Sequence, residues 1–202
     1  MVFGLALSIG AISLFTQSPT TVAALTSDII AFGFSFLILI SVWIRYTAIM
    51  TALPIETTGS VVLNVVLLFF VSIEPYLLNQ VGLYGHTANL NLLDYSTSFY
   101  ALDMGGMMFI LGLLTHELSV EEKKLIPPRS VSKCKRLRNY FHFWAALFFL
   151  TIIPQFWSLK VLDIPLRFYF WVVPLFASLA VRARGLLQKD IGDQDSCPPP
   201  NP

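Results

Sequence analysis

The sequence is poor in charged residues. Asp, Glu, Lys and Arg together make up 12% of its 202 residues, whereas they make up about a quarter of a typical soluble domain. Hydrophobic residues make up 55%, which excludes an ordinary soluble domain and predicts a protein embedded in a lipid bilayer. The formal net charge is only +1, so the chain has no basic surplus and we expect no nucleic-acid partner.

Cysteine is nearly absent, and the signature motifs of enzymes are missing. Cys134 and Cys197 fall on the same predicted side of the membrane and suggest neither a disulfide framework nor a metal site. His86 and His142 have no partner at metal-ligand spacing. The sequence contains no G-x-S-x-G, no H-E-x-x-H and no P-loop. We therefore expect no enzymatic activity, no resident metal and no cofactor.

The amino-terminal apolar run also lacks the basic flank and the small-residue cleavage pattern of a secretory signal. Six apolar segments follow one another along the chain: residues 1–15, 29–50, 61–81, 99–115, 140–159 and 164–181. About 20 helical residues span the hydrocarbon core. The second, third, fifth and sixth segments fit this length, the fourth is slightly short and the first is too short. The expected fold class is an all-α membrane protein with six transmembrane helices.

The basic residues are distributed unevenly between the two ends of these segments. With six spans, 11 of the 13 Lys and Arg residues lie on one side, and Lys160 and Arg167 lie on the other. The positive-inside rule makes the richer side cytoplasmic. We expect a multi-pass protein of the plasma membrane with both termini in the cytoplasm. Residues 1–184 would form the membrane domain, and residues 185–202 a polar, Pro-rich, disordered tail.

The first segment has a distinctive pattern of side chains. Leu5, Ser8, Ile9 and Ile12 share one face of a helix, and small residues flank that face, as in closely packed membrane helices. One interpretation is that several copies of this helix line an ion pathway. The other is that it is one more lipid-embedded helix whose small residues serve only packing.

Two motifs in the second and third segments resemble a known family. The run SFLILISVW begins at Ser35 and ends at Trp43, and NVVLLFFVSIEP begins at Asn64 and ends at Pro75. Together with a basic loop before the fifth segment and Pro154 late in that segment, they resemble the prokaryotic six-helix members of the transmembrane protein 175 family of potassium channels.

The resemblance implies a homotetramer whose first helices surround a central potassium pathway. Leu5 would form the hydrophobic constriction, with Ser8, Ile9 and Ile12 further along the pore. It also implies a helix-packing network made of Ser35, Trp43, Arg45 and Asn64. The chain departs from the family pattern in two places. The R-x-x-x-F-S-D sequence that opens the family's first helix is absent, and Arg45-Tyr46 stands where members often have Asn-His.

Two carboxylates lie within or near the predicted spans. Because Glu74 and Asp103 fall close to segment ends, we expect them to face an outer vestibule and concentrate cations there. The leading prediction is a weakly selective, potassium-permeable channel. The alternatives are a proton-coupled carrier of a small solute that uses these carboxylates, and a non-conducting scaffold. Close helix packing is predicted at three glycines of the fourth segment, Gly105, Gly106 and Gly112.

Overall fold

Long helices dominate the fold. The computed structural model describes residue 4 and residues 22–52, 58–85, 90–120, 128–161, 164–171 and 173. Its elements are, in order, α1 (Val22–Ala52), α2 (Thr58–Gly85), α3 (Leu90–Ser119), α4 (Pro128–Leu150), α5 (Gln155–Ser158), β1 (Lys160–Val161) and β2 (Ile164–Pro165). Several sequence predictions lie outside the described residues: those for Leu5, Ser8, Ile9, Ile12 and residues 185–202.

Three of the described helices are long and apolar enough to cross a membrane. The qualifying stretches are Phe32–Thr51 in α1, Thr58–Val81 in α2 and Asn91–Ser119 in α3. Each has at least the roughly 20 residues that a span requires. The chain is therefore mostly helical and membrane-embedded, and the second, third and fourth predicted segments are confirmed as helices of spanning length.

The predicted bounds of the fourth segment, 99–115, are wrong, because α3 begins at Leu90 and ends at Ser119. The polar residues before Phe99 had indicated a loop. In the structure, the hydroxyl groups of Ser96, Thr97 and Ser98 each donate to a carbonyl oxygen four residues earlier. These polar groups are thus satisfied inside the helix, which lets α3 continue through them.

The fifth predicted segment is also placed differently. α4 begins at Pro128, within the basic stretch, and ends at Leu150, so Pro154 follows the helix instead of lying within it. Proline has no backbone N–H and clashes with the preceding turn, which accounts for the end of the helix. The sixth segment opens with β2, which pairs antiparallel with β1, and residues 166–171 are helical.

α3 is the central helix of the described bundle, with α2 and α4 packed against it. Its membrane-length stretch is 67% buried, against 28% for that of α1 and 22% for that of α2. Glycines explain the close approach. A Cβ atom on Gly106 would lie 2.7 Å from the Phe70 ring of α2, and one on Gly105 would lie 2.6 Å from the Phe149 ring of α4. A Cβ atom on Gly112 would lie 2.7 Å from the His142 ring. The predicted packing role of these glycines is confirmed.

Substitution of Gly106 tests this packing. Gly106→Leu should lower the free energy of unfolding by about 1–3 kcal/mol, because the new side chain overlaps the Phe70 ring in a filled interface. Gly33→Leu is the matched control, since a Cβ at Gly33 has no neighbouring atom within 4 Å. Unfolding in detergent, followed by circular dichroism, measures both. If the two variants were equally stable, or if Phe70→Ala did not partly rescue Gly106→Leu, the packing account would be wrong.

Candidate functional site: a buried acidic cluster

Glu74 lies in the middle of α2, directly before Pro75, and its side chain is 0% exposed. The sequence had placed it near a helix end, because proline commonly stops a helix. In this case α2 continues through Pro75 to Gly85. Membrane helices tolerate such prolines when neighbouring groups satisfy the freed backbone. Glu74 is therefore buried in the interior of the described bundle.

Hydroxyl groups from two other helices donate to the Glu74 carboxylate. The Ser35 hydroxyl of α1 lies 2.7 Å from Oε2 and 2.9 Å from Oε1. The Tyr100 hydroxyl of α3 lies 3.5 Å from Oε1. Ser35 is 4% exposed and Tyr100 is 0% exposed, so these contacts join α1, α2 and α3 in a region shielded from solvent.

Asp103 lies on α3 about one turn after Tyr100, and it is 2% exposed. Both of its carboxylate oxygens are buried without a hydrogen-bond partner among the described residues. Asp103 and Tyr100 are three residues apart and so share one face of α3, and Tyr100 is the α3 residue that reaches Glu74. We call Ser35, Glu74, Tyr100 and Asp103 the acidic cluster.

An aromatic residue closes one side of the acidic cluster. The Trp171 ring packs on the Tyr100 ring with centroids 4.7 Å apart, and Trp171 is 4% exposed. Its indole Nε1 is buried and has no hydrogen-bond partner in the part of the chain that the structure describes. An unpaired buried donor therefore borders the acidic cluster, whose Asp103 oxygens are unpaired buried acceptors among the described residues.

No basic side chain balances the two carboxylates within the described ranges. Arg167, which is a buried cation, forms a salt bridge with Asp94 at 2.9 Å. Asp94 is nine residues before Asp103, or about 13 Å along the helix. Among the described residues, no group of three or more His, Cys, Asp or Glu side chains could hold a metal ion. Two adjacent uncompensated charges in an apolar interior are very costly, so this arrangement suits a proton or a single positive charge.

The contacts of the described residues do not join Ser35, Trp43, Arg45 and Asn64, the predicted helix network, in one place. Ser35 joins the acidic cluster, whereas Arg45 lies about 15 Å further along α1. The Arg45 guanidinium lies over the Tyr140 ring of α4, 4.9 Å from its centroid. Trp43 is 44% exposed. Asn64 is half-buried, and its Oδ1 has no partner among the described residues.

Tyr100 and Arg167 are two further residues of structural importance that the sequence patterns above did not predict. Tyr100 and Asp103 are three residues apart and so share a helix face, a signal that was available in the sequence. In the sequence, Arg167 serves only in the count of basic residues that predicts the orientation of the protein in the membrane. In the structure it is 0% exposed, and its NH1 group lies 2.9 Å from Asp94 Oδ1 and 2.6 Å from the Thr97 hydroxyl. Its Nε donates to the Thr151 carbonyl at 2.7 Å.

Comparisons of the chain with protein-family models, with curated proteins and with solved structures found no match. The acidic cluster is nevertheless a strong chemical indication of function among the described residues. Ionisable side chains inside membrane segments are costly and typically mark ion pathways or proton relays.

Proposed function

We propose that this protein is a potassium-permeable, weakly selective cation channel. In this proposal it is a homotetramer in the plasma membrane, with six helices per subunit and both termini in the cytoplasm. The supporting observation is that the two sequence motifs that resemble the transmembrane protein 175 family meet in space. Ser35 of the first motif donates to Glu74 of the second, at 2.7 and 2.9 Å.

The outward faces of α1 and α2 fit a subunit that packs against lipid and other subunits. Large apolar side chains remain exposed on both helices, among them Phe36, Leu37, Ile44, Val62, Val65 and Phe69. Such exposure is unusual for a monomer in water. In a bilayer these faces need no further cover, and small or aliphatic surfaces also allow helix association.

In the proposed mechanism, side chains of the first segment converge on the symmetry axis. A ring of Leu5 side chains would gate the pathway by excluding water when it is narrow. Potassium releases its hydration shell more readily than sodium does, so a hydrophobic constriction favours potassium modestly. The Ser8 hydroxyls would replace part of the lost hydration, and Ile9 and Ile12 would line the remaining pathway.

Recording from purified protein in planar bilayers tests the channel proposal. A channel should give unitary current steps, with potassium favoured over sodium. A carrier should give proton-dependent uptake in liposomes without unitary steps, and a scaffold should give neither. The absence of unitary current under both symmetric and gradient conditions would overturn the channel proposal.

Leu5→Ala should raise unitary conductance and weaken the preference for potassium, because it widens the proposed constriction. Leu14→Ala is the matched control. At 100° per residue, Leu14 lies on the opposite side of a helix from Leu5, so its truncation should leave permeation unchanged. Conductance and reversal potentials in mixed potassium and sodium solutions measure both effects. Identical permeation in the two variants would remove Leu5 from the pathway.

The burial of the acidic cluster favours a second candidate, a proton-coupled carrier of a small solute. In that case proton coupling would use Glu74 and Asp103, as it uses carboxylates in many membrane carriers. Glu74→Gln and Asp103→Asn would then abolish pH-driven uptake. If the protein is a channel, the same substitutions should change current amplitude or its pH dependence without creating or removing uptake.

A further inference from the structure

We propose that Asp103 is a proton-binding site in the membrane interior, and that the hydrogen-bonded carboxylate of Glu74 gives up its proton more readily than that of Asp103. The proposal assigns different roles to two carboxylates that are equally hidden from solvent. It does not depend on whether the protein is a channel or a carrier.

The hydrogen bonds separate the two roles. A buried carboxylate keeps its charge only when donors replace the water that it has lost. Glu74 has such donors, since Ser35 contacts both of its oxygens and Tyr100 approaches one of them. Asp103 has no donor among the described residues for either oxygen. The neutral acid is therefore the state that its surroundings favour, and the charge of Glu74 favours it further.

The groups on the neighbouring helices do not alter this assignment. α1 contributes the Ser35 hydroxyl, and α3 contributes the Tyr100 phenol. Residues 166–171 contribute Trp171, which is not titratable, and Arg167, whose charge is balanced by Asp94. The charged contacts of α4 in the described chain, such as Arg138 with His116, involve the end of α3 that is about 20 Å from Asp103.

Proton exchange at Asp103 has a structural consequence. Loss of the proton places a second negative charge beside Glu74, at the junction of α2 and α3. Repulsion there is strong because water does not screen it. Deprotonation should therefore separate α3 from the Ser35–Glu74 contact, so that the protonation state of Asp103 sets the packing of three helices.

Infrared spectroscopy of the full-length protein in lipid nanodiscs tests the assignment, because it needs no probe to reach the site. At pH 8 the protein should show a carboxylic acid C=O band that Asp103→Asn removes. The conservative variant Glu74→Gln should keep that band. Ser35→Ala should add a second band, because Glu74 loses its principal donor and takes up a proton. Raising the pH should diminish the Asp103 band.

Carbodiimide labelling gives an independent reading, since dicyclohexylcarbodiimide reacts with protonated carboxyl groups in apolar surroundings. Mass spectrometry should find Asp103 labelled at least about tenfold more than Glu74, corresponding to about 1.4 kcal/mol of preference for the protonated form. Asp94, which is paired with Arg167, is the internal control and should stay unlabelled. An infrared band removed by Glu74→Gln and kept by Asp103→Asn would overturn the assignment, as would the absence of any such band. Neither measurement reads current or uptake, so their failure is distinct from failure of the channel proposal.

Discussion

Replacing Arg167 with methionine is expected to lower the free energy of unfolding by about 3–5 kcal/mol, the range measured when one partner of a buried ionic network is removed. Arg167 is 0% exposed. Methionine keeps much of the side-chain length but supplies no donor, so the buried acceptors around it lose their partner. Hydrogen bonds from charged groups contribute about 1.5–3 kcal/mol each, and several are lost together.

The position of Arg167 explains why so much depends on it. Its Nε donates to the Thr151 carbonyl, where the backbone leaves α4. Its NH1 group contacts Asp94 and the hydroxyls of Thr97 and Ser98 in the first turns of α3. One side chain therefore ties the start of α3 to the end of α4, two points that lie far apart in the sequence.

Thermal unfolding in detergent measures the effect, with two variants for comparison. Lys160→Met removes an exposed basic residue from β1 and should change stability by less than about 0.5 kcal/mol. Arg167→Lys keeps the charge but cannot supply the planar fork of donors, so its stability should fall between those of the native protein and Arg167→Met. A loss for Arg167→Met no larger than that for Lys160→Met would show that the network contributes little.

The helices that sequence analysis placed best are those whose apolar character is continuous. The predicted segments 29–50 and 61–81 lie within α1 and α2, because length and hydropathy alone define a span. The segment predicted for α3 was too short, because Asn91, Asp94 and the hydroxyl residues that follow them are typical of a loop. Asp94 and the hydroxyl residues find their partners in backbone carbonyls and in Arg167, and a distant partner leaves no trace in local composition.

Individual residues of the candidate site were predictable from the sequence, but their arrangement in space was not. Glu74 and Asp103 stood out because a carboxylate is rare in an apolar segment. The contacts of Glu74 with Ser35 and Tyr100, and the burial of Asp103 on the same face as Tyr100, depend on how α1, α2 and α3 are rotated about their axes. Hydrophobic periodicity fixes such rotation only when one face is polar, and these helices are apolar nearly all round. The two prolines led to wrong helix bounds. Pro75 suggested a helix end but lies inside α2, whereas Pro154 was placed inside a helix but follows the end of α4.

Replacing Asp103 with threonine is expected to raise the free energy of unfolding by about 1–3 kcal/mol, which is the cost of leaving a buried polar group unsatisfied. Threonine resembles aspartate in size and can satisfy its own hydroxyl. In α3, the Thr97 and Thr115 hydroxyls already donate to the carbonyls of Leu93 and Leu111, four residues earlier. A threonine at 103 can do the same with the Phe99 carbonyl, so no buried polar atom is left without a partner at this position.

Replacing Asp94, nine residues earlier, with threonine should change the free energy of unfolding in the opposite direction. Asp94→Thr removes the counter-charge of a fully buried guanidinium, so it should destabilise the protein, and denaturation of the two variants in one detergent compares them directly. If Asp103→Thr were instead as destabilising as Asp94→Thr, Asp103 would have a favourable partner, and its assignment as an unpaired proton-binding residue would fail. A gain in stability accompanied by loss of pH-dependent transport would mean that Asp103 is retained for function, since active sites commonly reduce stability.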